Sequence, residues 1–272
     1  MPPGEHLIVV SAEFPKDQKL PDKTYKVTIR NPYFGTAAPD ADAEALREAN
    51  PNAHVAVLQQ GLPDSALKIE KYSGTSDTII MGTYPVADRS PDHLNFGGDP
   101  TLHAGWYGTE RRALIRFDLS AAPKTARVKK ALLKLRLQEG EAQMIAAYEV
   151  LKSWQEGKHD NLEHSGVDKG DVAWSKLAHP DKLWGIPGCD KPGDDRGSKG
   201  YMAFCPDAKS ARDKLKKVWF YWDITELAGK WVQDPEKNYG VILINRGLGW
   251  STFRSSNYED PVDRPKLVLE YE

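Results

Sequence analysis

Residues 110 to 137 read ERRALIRFDLSAAPKTARVKKALLKLRL, two apolar runs in which the character of the side chain changes at every step. A period of two is the signature of a β-strand. In the first run Ala113, Ile115 and Phe117 share one face, while Arg112, Leu114, Arg116 and Asp118 share the other. The second run sets Leu133, Leu135 and Leu137 against Lys134 and Arg136. Each pattern predicts a strand with a core side and a wet side, as in an antiparallel sheet.

Working outward, similar short runs recur between clusters of Gly, Pro, Asn and Asp. HVAVLQQG (54–61), ALKIEKY (66–72), DTIIMG (77–82), MIAAYEVL (144–151), VWFYWDI (218–224), YGVILIN (239–245), STFRSS (251–256) and PKLVLEY (265–271) read as strands, as do HLIVVSAEF (6–14) and KTYKVTIRN (23–31). Two stretches are helical: PDADAEALREAN (39–50), closed by Asn50-Pro51, and TELAGKWVQ (225–233), capped by Thr225 with Leu227, Ala228 and Trp231 on one side. Many strands without helical crossovers predict an all-β, antiparallel sandwich of jelly-roll type rather than a parallel α/β sheet. Residues 51–272 form that domain, and residues 1–50 a β-containing extension. Within the domain the pattern dissolves between Trp154 and Lys217, a polar stretch expected to be a long surface-loop insertion.

The chain has 272 residues, of which 40% are hydrophobic, enough for a substantial core. Lys and Arg number 37 against 39 Asp and Glu, a formal net charge of -2, so no global field draws the protein to nucleic acid or to an anionic membrane. No apolar run reaches the ~18 residues of a membrane span, and the first ten residues lack the pattern of a signal peptide. The two cysteines, Cys189 and Cys205, bracket a polar stretch with little core of its own. A disulfide between them is expected; closing a loop of about 15 residues would stabilise by roughly 3 kcal/mol and would suit an exported protein.

Taken in order, the segments YSGTSDTIIMG, LNFGGDPTLHAG, RRALIRFDLSAAPKTARVKKALLKLRL, YEVLKSWQEG, WDITELAGKWV, NYGVILIN and FRSSNYEDPVDRPKLVLEY resemble the DNRLRE, or disaggregatase-related, domain family, over about His54 to Glu272. The resemblance implies a jelly-roll-like sandwich, an extracellular or cell-surface setting as one module of a longer exported protein, and association with a polysaccharide. Some members are classed as alginate-binding carbohydrate-binding modules. Members often carry an acid directly after the late SS, where this chain has Asn257, with Glu259 and Asp260 just beyond. The first fifty residues and the cysteine-bounded stretch lie outside the shared pattern.

The candidate ligand-binding residues are of two kinds. Arg112, Arg116, Lys134 and Arg136 are expected to converge on one outer sheet face, where guanidinium forks match the carboxylates of a polyuronate. Trp106, Tyr107 and Trp250, in turn-rich segments, are stacking candidates for sugar rings, with Trp174 and Trp184 behind them. Trp219, Tyr221, Trp222 and Trp231 read as core. A structural Ca2+ is a further expectation, held by Asp77 with Glu259 or Asp260 if the first and last strands pair. No GxSxG, HExxH, Walker or GxGxxG motif is present, so a non-catalytic binding module is the leading expectation. The alternative is a polysaccharide lyase or glycoside hydrolase whose rim is the 155–217 insertion, with Tyr107 or His103 as first suspects for a base. His159 and His164, five apart, read as surface residues.

Overall fold

The computed structural model describes residues 41–82, 91–141, 144–160, 166–205 and 218–272. The two strands expected at 6–14 and 23–31 lie outside these residues. The elements, in chain order, are α1 (Ala41–Ala49), β1 (His54–Gln59), β2 (Thr75–Met81), β3 (Thr101–Trp106), β4 (Glu110–Phe117), β5 (Val128–Gly140) and β6 (Ile145–Val150). They continue with β7 (Lys176–Ala178), β8 (Lys182–Leu183), β9 (Arg196–Met202), β10 (Trp219–Asp223), α2 (Thr225–Gln233), β11 (Val241–Asn245), β12 (Trp250–Arg254) and β13 (Lys266–Tyr271).

All named strand pairings are antiparallel, and the architecture is the expected all-β sandwich. One layer runs β1-β13-β5-β10, and the other is built from β2, β4, β11, β6 and β9. The long strand β5 belongs to both ends of this arrangement. Its first part pairs with β13 and β10; its last part pairs with β12, which leads through β3 to β4 and curls the hydrogen bonding from one layer into the other.

Ala113, Ile115 and Phe117 of β4 meet Leu133, Leu135 and Leu137 of β5 in one core, together with Phe220, Trp222 and Phe253. The two opening runs therefore face each other across the sandwich. Between them, residues 118–127 carry the chain from one layer to the other.

Two further apolar layers lie outside the sandwich. α1 lays Ala43 and Leu46 on Val55, Leu132 and Val268, the outer side of the first layer. On the outer side of the second layer, Ile80, Leu114, Ile242 and Ile244 pack against Trp154, Val172, Trp184 and Cys189 of the insertion. Leu114, read as wet-side, is thus fully buried. The insertion is more than surface loop: it contributes β9, which pairs with β6, and the small β7-β8 hairpin.

The second helix spans Thr225–Gln233 as expected, with Leu227, Ala228 and Trp231 buried, but Thr225 is not its cap. The Asp223 carboxylate accepts the Thr225 N–H at 3.1 Å, and the Thr225 hydroxyl accepts the Ala131 N–H instead. ALKIEKY is no strand either. The Asp64 side chain accepts the N–H groups of Leu67 and Val57 at 2.8 and 2.7 Å, which folds residues 64–69 into a tight turn. Among the described residues no helix is long and apolar enough to cross a membrane.

Candidate functional site

Two surface features hold some of the sequence candidates. The first is a rim where the β3–β4 and β11–β12 turns meet. Asn245 shapes one turn: its side-chain amide donates to the Leu248 and Gly249 carbonyls at 3.3 and 2.9 Å, and its carbonyl accepts the Gly247 N–H at 3.0 Å. The turns touch through the backbone, Trp106 N–H donating to Gly249 O at 3.1 Å. Gly105 permits this approach, because a Cβ there would lie 2.5 Å from the Gly249 oxygen, and its φ of +116° disfavours any other residue.

This backbone contact brings two of the aromatic candidates together. Tyr107 and Trp250 meet edge to face with centroids 4.8 Å apart, and the Arg111 guanidinium sits 5.2 Å from the Tyr107 ring centre. Trp106 is 65% exposed and Tyr107 53%, and Leu248 beside them is 91% exposed. Trp174 and Trp184, by contrast, anchor the insertion onto the second layer. His103 lies close to the rim and is half-buried; desolvation, assisted by the Arg111 charge, pulls its pKa down to about 3 and keeps it neutral. Its ring contacts Thr252, Thr101 and Arg111 rather than Arg112.

The second feature is an open cleft of about 780 Å³ between the outer side of β2 and β4 and the start of the insertion. Arg116, Trp154, Glu156, Lys158, Asp168 and Asp171 line it. Arg116 donates to the Ser76 hydroxyl at 3.3 Å and lies 5.5 Å from the Trp154 ring centre. Beneath it, Glu156 accepts the backbone N–H of Asp77 at 2.8 Å. Burial pushes Glu156 up to about 7, against the pull of the Asp77 N–H and of Arg116. Asp77 is pushed up to about 8, first by burial and then by the nearby Glu156 carboxyl.

The expected convergence of four cations does not occur. β4 and β5 are in different layers, so their apolar sides face each other and their charged sides point apart. Arg112 is sealed under the insertion, where it donates to Gly188 O at 2.7 Å and Glu110 at 2.7 Å, pairs with Asp190 at 3.2 Å, and lies against Trp174. Lys134 and Arg136 face the other outer side. There Lys134 is fully buried, 4.6 Å from the Tyr221 ring centre, and Arg136 lies 5.6 Å from that of Trp219. Trp219 and Tyr221 are buried as expected, but on this outer side rather than between the layers. Of the four, Arg116 alone borders the cleft.

The two cysteines are not bonded to each other. Cys189 is buried in the layer beneath the insertion, whereas Cys205 packs against the central core, so the second layer of strands separates them. The expected calcium ligands do not gather. Asp77 is buried and held by Ser256, whereas Glu259 and Asp260 are exposed, with Asp260 accepting the Val262 N–H at 3.2 Å. Among the described residues, the metal-ligand grouping present is another one, His159 with Asp168 and Asp171. His164 lies outside the described residues.

Sequence reasoning missed Glu156, Asp168 and Asp171. The available signal was the placement of Glu156 two residues after Trp154, where the strand pattern stops. No protein-family model matches the chain, and no curated protein matches it.

Proposed function

We propose that the protein is a non-catalytic carbohydrate-binding module that holds a polysaccharide on the rim formed by Trp106, Tyr107 and Trp250. The carrying observation is the exposure of two aromatic side chains consecutive in the chain, 65% and 53%, where β3 runs into a turn fixed by backbone hydrogen bonds, with Trp250 packed against Tyr107. Flat apolar rings with a polar edge suit the hydrophobic faces of sugars. Rings that are already in place lose little freedom on binding. Arg111 behind Tyr107 adds a positive charge, so an acidic chain such as a polyuronate belongs among the ligands alongside neutral glucans. The resemblance to DNRLRE domains supports the same reading, and with it an extracellular setting in a longer exported protein. The test is affinity electrophoresis of the purified protein in gels containing acidic or neutral polysaccharides. Retardation by at least one glycan, abolished in Trp106→Ala/Tyr107→Ala, is expected; unaltered retardation of that variant sinks the reading.

A second reading, a glycoside hydrolase or lyase, is favoured by one observation. The Glu156 carboxyl borders an open cleft beside Arg116, a carboxyl and a cation where an acid–base reaction needs them. Release of new reducing ends or unsaturated products from any of those polysaccharides, lost in Glu156→Gln, would establish it.

A further inference from the structure

His159, Asp168 and Asp171 approach one another from two sides of the segment 160–167 at the wall of the cleft. One imidazole nitrogen and one oxygen from each carboxylate lie within 4.8 Å of one another. The His159 backbone is anchored by its carbonyl, which accepts the Gly98 N–H at 2.8 Å, and its ring lies so close to Gly166 that a Cβ there would be 2.8 Å away. Asp171 is 1% exposed, with one oxygen accepting from the Gln155 amide at 3.1 Å and the other from the Asp168 N–H at 2.9 Å. Each oxygen keeps a second lone pair.

His159 Nε2 is the feature that this network leaves unexplained. The atom is sealed from solvent and has no hydrogen-bond partner, although the Asp168 carboxylate lies 3.7 Å away. A buried polar atom in that condition calls for a water or an ion between it and its neighbours. The spacing favours an ion: two donors each about 2.1 Å from a tetrahedral metal are about 3.4 Å apart. The charges agree as well, since two carboxylates face each other and, among the described residues, the exposed Lys158 ammonium, 2.9 Å from Asp168, is the lysine or arginine paired with them.

From these observations we propose that His159, Asp168 and Asp171 bind a divalent transition-metal ion of the Zn2+ type. One imidazole and two carboxylates suit zinc better than calcium, which prefers an all-oxygen shell. The Gln155 bond to Asp171 orients a ligand as outer-shell bonds do in metal sites. Lys158 occupies the site electrostatically in the absence of the ion and swings away when it binds. Asp168 and Asp171 both line the cleft, so the ion sits in its wall. The proposal is independent of sugar binding at the aromatic rim.

Calorimetric titration of the chelator-treated full chain with ZnCl2 tests it, with CaCl2 as the second arm and Co2+ absorbance as a spectroscopic readout. One Zn2+ per chain is expected, binding at least tenfold more tightly than Ca2+, and His159→Ala should weaken it at least tenfold. Lys158→Gln, at a side chain that is 77% exposed, should leave the fold in place and tighten binding several-fold by removing the competing charge. No stoichiometric Zn2+ uptake by the wild-type chain, a preference for Ca2+, or unchanged affinity in Lys158→Gln overturns the proposal.

Discussion

Ser256 grips both oxygens of Asp77, its N–H donating to one at 2.7 Å and its hydroxyl to the other at 3.2 Å. This joins β2 to the segment after β12, while the N–H of Asp77 itself goes to Glu156 in the insertion. One buried residue, through its carboxyl and its backbone N–H, thus ties three parts of the chain together.

Its ionisation sets a pH dependence. The folded-state pKa values of Asp77 and Glu156 are raised to about 8 and about 7, above those of the unfolded chain, so the folded state holds the protons more tightly. Their contribution to stability is complete below about pH 4 and is lost as the pH rises through about 7 to 8. The midpoint of thermal unfolding should fall between pH 6 and pH 9. Asp77→Asn keeps an acceptor for the Ser256 N–H, can donate its amide N–H to the Ser256 hydroxyl oxygen, and should flatten that slope. A wild-type midpoint that rises across this range contradicts the assignment.

Arg112 is structural. Replacing it with Met leaves Asp190 and the Gly188 carbonyl with fewer partners beneath the insertion, at a cost of about 3 kcal/mol. Urea unfolding monitored by tryptophan fluorescence measures this. Polysaccharide retardation of the still-folded variant should be unchanged.

The thiols behave oppositely to a structural disulfide. Titration of the denatured, unreduced protein should find two thiols per chain, and dithiothreitol should leave the unfolding midpoint where it was. Loss of a native disulfide would instead cost about 2–5 kcal/mol. In the native state burial raises the Cys189 thiol far above its usual range, so it should react slowly with thiol reagents at neutral pH.

At the rim, Trp106→Ala removes a ring that is 65% exposed, so the unfolding midpoint should barely move. Affinity for the retained glycan should drop about tenfold, the equivalent of ~1.4 kcal/mol. A variant that loses stability but keeps affinity would make the ring a packing element.

The sandwich was legible because Ala113, Ile115 and Phe117, and likewise Leu133, Leu135 and Leu137, alternate cleanly, and period two survives any choice of neighbours. Which strands pair was not legible. Two runs joined by ten residues look like neighbours, and only the three-dimensional path shows that they sit in opposite layers, which is why the four cations diverge. β3 was hidden by its composition: Thr101–Trp106 includes Gly105, which reads as a turn signal but serves the close contact with Gly249. The exposure of Trp106 and Tyr107 was legible because aromatic residues among turn residues lack an obvious core partner. Glu156, Asp168 and Asp171 were not, because 39 acids offer no pattern until the chain folds.

The second layer of strands is coated on both sides, and the coat over Ile80, Leu114, Ile242 and Ile244 comes from one continuous stretch of chain. Shortening that stretch to make a smaller domain would strip an oily sheet bare. Such a truncated protein should clump during expression even though every residue of the central sandwich is still there.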